Sequence, residues 1–119
     1  MGKKGLIVCV CQGTCPSFQK MNVFNVLNAI RRKKLVDFVS LHPQLCAKDG
    51  DEYLRTLLSN TDIDRLYVAA CESHMQEKMF ERAFNDAGFD PSKHSSVDIR
   101  NMNTEEAVTA ITKLIEENP

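Results

Sequence analysis

The chain has 119 residues and a mass of 13.4 kDa, a size typical of one domain, so we expect a single domain spanning residues 1–119. Fifteen Lys and Arg residues balance sixteen Asp and Glu residues, and two Tyr with no Trp leave few rings for base stacking. This composition argues against a nucleic-acid partner. The longest apolar stretch, residues 5–11, is too short to span a bilayer, and no small-residue cleavage site follows it. We therefore expect a cytoplasmic protein without a signal peptide or membrane contact.

Apolar runs alternate with amphipathic helical patterns along the chain. Strands are predicted at residues 4–10, 36–42, 65–70 and 95–99, and helices at residues 20–34, 50–60, 73–87 and from residue 104 onwards. Strands that alternate with helices through short connections require right-handed crossovers and hence a parallel sheet with helices on both faces. The sequence therefore predicts a doubly wound α/β fold, Rossmann- or flavodoxin-like, with four strands in the order 2-1-3-4.

Helix ends are signalled by particular residues. Gly88 follows the third helical pattern at the position where a left-handed residue commonly ends a helix. Thr104 is predicted to cap the fourth helix, ahead of Glu105 and Glu106. The basic cluster at residues 31–34 ends the first helix, where cations complement the helix dipole.

All five cysteines lie at the carboxyl ends of predicted strands or in the loops that follow them. Cys9 and Cys11 close the first strand, Cys15 lies in the loop after it, Cys46 lies in the loop after the second strand, and Cys71 directly follows the third. The carboxyl ends of parallel strands form one crevice, where open α/β sheets bind ligands. The topology therefore predicts that these thiols converge at one edge of the sheet.

Converging thiolates suit either an iron-sulfur cluster or a tetrahedral zinc ion. Structural zinc sites usually draw their ligands from paired Cys-x₂₋₄-Cys motifs, whereas these cysteines are dispersed over separate loops, which favours the larger cluster. Helix N-termini after the loops would stabilise anionic thiolates.

Other chemistries lack their signatures. No Arg lies six residues after any cysteine, which excludes the Cys-x₅-Arg phosphatase loop, and Gly13 alone does not make a glycine-rich nucleotide-binding loop. His42, His74 and His94 are not spaced as a catalytic set. His74, near Cys71, is expected to be a solvated residue at a helix start. We therefore expect no catalytic residues in this chain.

Several segments together resemble the N-terminal domain of the heterodisulfide reductase A subunit. They are Ile-Val-Cys-Val-Cys-Gln-Gly at residues 7–13, Leu-Cys-Ala-Lys-Asp-Gly at 45–50, Arg-Leu-Tyr-Val-Ala-Ala-Cys at 65–71, Ala-Gly-Phe-Asp-Pro at 87–91 and Asp-Ile-Arg-Asn at 98–101. The resemblance implies a [4Fe-4S] cluster, an electron-transfer role as a component of an oxidoreductase system, and a flavoprotein or hydrogenase-type partner. Any reductase activity would then belong to another polypeptide.

The resemblance also implies a ligand set. Carried over by position, the cluster ligands are Cys9, Cys11, Cys46 and Cys71. Gln12 stands where the family has Gly, so Cys15 is an alternative ligand in place of Cys9 or Cys11, or an additional redox thiol.

Two further functions stay open at this point. The chain could be a flavodoxin-like binding module without a cluster, whose cysteines are ordinary buried residues. It could also be a thiol-redox or sulfur-handling protein that uses Cys11 and Cys15.

Overall fold

Strands and helices alternate along the chain in the predicted order. A computed structural model describes residues 2–10, 15–45, 47–60, 62–71 and 73–119, without the side chains of residues 60, 73–75 and 77. The elements are β1 (Lys3–Cys9), α1 (Val23–Lys33), β2 (Phe38–His42), α2 (Lys48–Asn60), β3 (Ile63–Ala70), α3 (Ser73–Ala87), β4 (His94–Asp98) and α4 (Thr104–Glu117). Short 3₁₀ helices at Pro16–Phe18 and Pro91–Lys93 precede α1 and β4.

The four strands form one parallel sheet in the order β2-β1-β3-β4. The doubly wound α/β fold and its strand order are therefore confirmed. β1 and β3 lie in the centre, and β1 is fully buried from Leu6 to Val8. Such continuous burial is typical of a strand that has helices on both faces of its sheet, because the side chains on both faces are then shielded from water.

Side chains from the two faces of the sheet form two separate apolar clusters. Leu6 and Val8 of β1 point to the face that packs against α1 and α4, together with Tyr67 of β3. Ile7 and Cys9 point to the opposite face, which packs against α2 and α3. Because successive residues of a strand alternate between faces, the parity of a residue in β1 decides which helix pair it contacts.

Several element boundaries differ from the predicted ones by a few residues. α1 begins at Val23, because the Asn22 side chain accepts a hydrogen bond of 3.1 Å from the Asn25 N–H group and caps the helix there.

The prediction that Thr104 caps α4 is wrong. Asn103 is the cap, and the Thr104 hydroxyl oxygen instead accepts a hydrogen bond of 2.8 Å from the Asn22 N–H group.

Gly88 ends α3 as predicted. Its φ of 71° lies in the left-handed region, which a glycine adopts without a steric penalty. The Phe89 N–H group donates to the Phe84 carbonyl at 2.8 Å, which satisfies one of the last carbonyls of the helix.

Among the described helices, none combines the length and the apolar character that crossing a bilayer requires.

His94 begins β4 and is largely buried beside the aromatic residues of α3. Its ring centroid lies 5.8 Å from that of Phe80 and 5.2 Å from that of Phe84. Its Nε2 atom has no hydrogen-bond partner among the described residues. Burial of the ring disfavours the charged form and lowers the pKa of His94 to about 4.

We expect Asn103→Ala to lower the free energy of unfolding by about 1 kcal/mol, because it removes a capping box. The Asn103 side chain accepts from the Glu106 N–H group at 2.8 Å, and the Glu106 carboxylate accepts from the Asn103 N–H group at 3.0 Å. Urea denaturation measures the change. Thr109→Ala, at an exposed position of the same helix, is the control and should leave stability nearly unchanged. Equal stability of the two variants would contradict the capping role.

The burial of His94 predicts a specific pH dependence of stability. The pKa is about 4 in the folded chain and near 6.5 in the unfolded chain, so the unfolded state binds the additional proton between these values. The stabilising contribution of the neutral ring is complete above pH 6.5 and is lost as the pH falls towards 4, by up to about 1.4 kcal/mol per pH unit. His94→Phe should remove this component, so that the stability difference between the variant and the unmodified chain changes across the window. If chemical denaturation gives the same difference in free energy of unfolding between the two proteins at every pH from 6.5 to 4, the prediction is contradicted.

Candidate functional site at the carboxyl edge of the sheet

Two of the predicted ligands lie where neighbouring central strands end. Cys9 is the last residue of β1, and Cys71 directly follows β3. The two strands are paired, with Val8 opposite Ala69, so their carboxyl ends are about one strand spacing of 4.8 Å apart. The other two predicted ligands, Cys11 and Cys46, lie outside the described residues.

The thiols of the described cysteines are divided between the two faces of the sheet. Cys9 is 3% exposed and packs in the cluster beside α2 and α3. Cys15 and Cys71 are partly buried and pack against the cluster on the α1 and α4 side. A group bound by both Cys9 and Cys71 would therefore have to lie over the ends of the strands. In the described part of the chain, no three His, Cys, Asp or Glu side chains are grouped closely enough to hold a metal ion.

The Cys9 sulfur accepts a backbone hydrogen bond from the neighbouring loop. The Leu45 N–H group donates to it over an N to Sγ distance of 3.2 Å, and both residues are buried. Leu45 immediately precedes Cys46 in the sequence. The described residues between β2 and α2 (43–45 and 47, called the β2–α2 loop) are therefore attached to the Cys9 sulfur at Leu45, one position before Cys46 in the sequence. Hydrogen bonds of this kind stabilise negative charge on sulfur.

His42 closes the start of this loop. It is the last residue of β2, lies opposite Cys9 in the sheet register and is 6% exposed. Its Nδ1 atom accepts from the Gln44 N–H group at 3.0 Å, so the proton of the neutral ring is on Nε2, which donates to Asp49 Oδ2 at 2.9 Å. The ring also packs against Tyr53 at a centroid distance of 5.1 Å. The side chain thus connects the end of β2 to the first turn of α2.

Gly50, the third residue of α2, lies against the backbone of this loop. A Cβ atom at this position would lie 2.1 Å from the Leu45 carbonyl oxygen, so no other residue fits there without a backbone shift. The Gly50 N–H group donates to the Ala47 carbonyl at 3.0 Å, and the Ala47 N–H group donates to the Gln44 carbonyl at 3.2 Å. The loop therefore folds back on the first turn of α2, with the Leu45 backbone against Gly50.

Buried and exposed glutamines hold the backbone beside the other two described cysteines. Gln76 in α3 is completely buried, and its Nε2 group donates to the Cys71 carbonyl at 2.5 Å. Its Oε1 atom has no hydrogen-bond partner among the described residues. Gln19 makes the equivalent contact with the Cys15 carbonyl at 3.0 Å, but on the surface. The Cys71 turn is therefore held by a buried polar contact and the Cys15 turn by an exposed one.

Helix N-termini face the same edge as the cysteines. α2 begins two residues after Cys46, and α3 begins two residues after Cys71. The positive ends of helix dipoles and their unpaired N–H groups favour negative charge nearby. This edge therefore offers buried sulfur together with an electrostatic environment that suits thiolates.

An open cleft elsewhere in the molecule is separate from the cysteines. It has a volume of about 510 Å³ and is lined by Lys78, Glu81, Phe84, Pro91, Ser92 and His94. His94 begins β4, so this cleft lies at the amino edge of the sheet, opposite the thiols.

Sequence patterns did not reveal the supporting residues of the site. His42 belonged to a set of histidines without catalytic spacing, and Gln76 lies on the buried side of a helix among positions expected to be apolar. The His42-Pro-Gln motif at the end of a strand is the available signal, since a ring nitrogen can accept from the N–H group two residues later, as Asn and Asp do in turns. The side chain of His74 lies outside the described residues.

Two curated proteins are similar to the chain over most of its length. The first is the iron-sulfur A subunit, form 1, of the CoB--CoM heterodisulfide reductase of Methanopyrus kandleri. It is 28% identical over 96 residues, which cover 81% of this chain and 14% of that protein. The second is the A subunit of the H(2)/formate:CoB-CoM heterodisulfide,ferredoxin reductase of Methanococcus maripaludis. It is 27% identical over 107 residues, which cover 82% of this chain and 15% of that protein.

The chain spans about one seventh of the length of these relatives and is related to one domain of them. No protein-family model matches the chain.

The complete burial of Gln76 predicts that Gln76→Glu strongly destabilises the fold. An unpaired buried carboxylate facing the Cys71 carbonyl should lower the free energy of unfolding by about 3 kcal/mol or more at about pH 8. The matched control is Gln19→Glu, which alters the exposed contact with the Cys15 carbonyl and should cost less than about 0.5 kcal/mol. The difference should shrink at low pH, where the new carboxyl is protonated and can donate. Equal stability of the two variants in urea at the higher pH would contradict the buried contact.

Proposed function

We propose that the chain is an electron-transfer domain that binds one [4Fe-4S] cluster at the carboxyl edge of the sheet. The ligands are Cys9, Cys11, Cys46 and Cys71. The domain acts as a component of an oxidoreductase system and exchanges electrons with a flavoprotein or hydrogenase-type subunit. It carries out no substrate chemistry of its own.

The hydrogen bond from the Leu45 N–H group to the Cys9 sulfur is the observation that supports this proposal most directly. It joins the end of β1 to the β2–α2 loop and involves a buried sulfur atom. In iron-sulfur proteins such N–H groups directed at ligand sulfur are among the factors that set the reduction potential.

The chemistry of the described residues fits a bound cluster. The thiols of Cys9 and Cys71 come from adjacent strands, and the N-termini of α2 and α3 at the same edge favour the negative charge of a thiolate-bound cluster. When bound, the cluster would supply one-electron transfer. The chain itself supplies the thiolates, the backbone N–H donor and the apolar surroundings that exclude water from Cys9.

The relatives support the class of activity. The name of one describes the iron-sulfur subunit of a heterodisulfide reductase, and the name of the other describes a subunit of a heterodisulfide,ferredoxin reductase. Because the similar segment is a small part of those proteins, we assign to this chain an electron-carrying role and not their reductase reaction. The redox partner that this role requires is a flavoprotein or a hydrogenase-type protein.

Iron and acid-labile sulfide analysis of protein reconstituted without oxygen tests the proposal. We expect about four irons and four sulfides per chain, with a visible absorption that bleaches on reduction. Cys71→Ser should remove most of the bound iron, because it deletes a ligand.

Cys15→Ser is the matched control, since Cys15 and Cys71 are both partly buried on the same side of the sheet. It should retain the iron. Equal iron content in the two variants would contradict the ligand assignment. Iron-free protein under these conditions would refute the cluster, and an oxidised form with a disulfide restricted to Cys11 and Cys15 would instead indicate a thiol-redox protein.

A further inference from the structure

We propose that His42 and Gly50 are positioning residues that hold the Leu45 N–H group on the Cys9 sulfur and thereby fix the β2–α2 loop against the end of β1. The inference rests on the proposed function only for the identity of the group that the sulfur binds. The placement of the N–H donor is a property of the chain alone.

The His42 ring bends the chain directly after β2. The Gln44 N–H group donates to His42 Nδ1 at 3.0 Å. Without this acceptor, the backbone from Gln44 onward would lose the contact that directs it back across the sheet. The next N–H group along the chain is that of Leu45, which reaches Cys9.

The orientation of the His42 ring is restrained on several sides. Its register partner is Cys9, so the ring and the sulfur belong to neighbouring residues of paired strands. Donation from Nε2 to Asp49 and packing against Tyr53 restrict rotation of the ring. The Asp49 side chain is 82% exposed, so its charge contributes little energy by itself. The acceptor at Nδ1 is the group on which the turn depends.

The Leu45 backbone occupies the space where a side chain at position 50 would lie. A Cβ atom on Gly50 would come within 2.1 Å of the Leu45 carbonyl oxygen and 2.4 Å of the carbonyl carbon. These are backbone atoms and cannot move without displacing the rest of Leu45. A side chain at position 50 would therefore push the Leu45 N–H group away from the Cys9 sulfur.

The reactivity of the Cys9 sulfur therefore depends on its contact with the Leu45 N–H group. Cys9 is 3% exposed in this arrangement, so reagents reach it only through a local opening of the structure around it. In the cluster-bound protein, an N–H group on a ligand sulfur stabilises the more negative, reduced state. Its removal should shift the midpoint potential to more negative values.

The experiment measures alkylation of each cysteine in the metal-free chain by iodoacetamide without oxygen, followed by peptide mass spectrometry. The variants are His42→Leu, which removes the acceptor, and Gly50→Ala, which displaces Leu45. At about pH 9.5, where an accessible thiol is ionised with or without the donor, we expect Cys9 to react at least about fivefold faster in both, the effect of losing one hydrogen bond. Cys15 and Cys71 in the same molecules should change by less than about twofold.

His42→Asn is the matched control variant. An Asn side-chain oxygen accepts from the N–H group two residues later, as the imidazole does, but is too short to reach Asp49. It should keep the Cys9 rate within about twofold of that of the unmodified chain. Urea denaturation of all three variants identifies any that are unfolded before labelling.

The outcomes separate this inference from the proposed function. An unchanged Cys9 rate in His42→Leu and Gly50→Ala, or an equal acceleration of all three cysteines, would overturn the positioning role. If the unmodified chain binds iron and both variants keep its midpoint potential, the positioning role fails while the proposed function stands. If neither the unmodified chain nor any variant binds iron but the labelling pattern holds, the proposed function fails while the positioning role stands.

Discussion

The parallel pairing of β1 with β3 is the constraint on which the rest of the structure depends. Both strands are buried on both faces, so each must be covered by helices, and each connection must cross the sheet before the next strand begins. Every strand therefore ends at the same edge, and every following helix begins there. The residues directly after β1, β2 and β3 are brought together by this pairing, although they are separated by tens of positions in the chain.

The register of the same pairing decides what those residues can do. In β1, Leu6 and Val8 occupy one face and Ile7 and Cys9 the other. A shift of one residue would exchange these faces and move the Cys9 sulfur from the α2 and α3 side to the α1 and α4 side. The sulfur would then lose the Leu45 N–H donor, which approaches from the β2–α2 loop. The division of cysteines between the two faces also means that a group shared by Cys9 and Cys71 belongs over the strand ends.

The contacts at the carboxyl edge set the path of the β2–α2 loop more narrowly than the α/β fold itself requires. Helices can follow strands through many kinds of loop, but here the His42 acceptor and the space left at Gly50 set the path of the backbone on both sides of Leu45. A buried amide supports the Cys71 turn in a comparable way. Buried polar contacts of this kind are retained at a cost in desolvation, and here they lie beside the cysteines at the carboxyl edge, as the proposed function requires.

Hydrophobic periodicity alone determined the eight elements, their order and the strand order 2-1-3-4, because alternation of strands and helices with right-handed crossovers leaves few topologies. The sequence also predicted Cys9 at the end of β1, Cys71 directly after β3 and Gly88 directly after α3. The cap at Asn103 in place of Thr104 depended on which of two adjacent polar residues faced the helix and which faced Asn22, 82 positions away. The tertiary structure likewise decided the face that each thiol occupies, the N–H donor on Cys9 and the burial of Gln76. These features depend on strand register and on contacts between segments that are distant in the chain. Local sequence patterns specify neither of them, because both form only when the sheet is assembled.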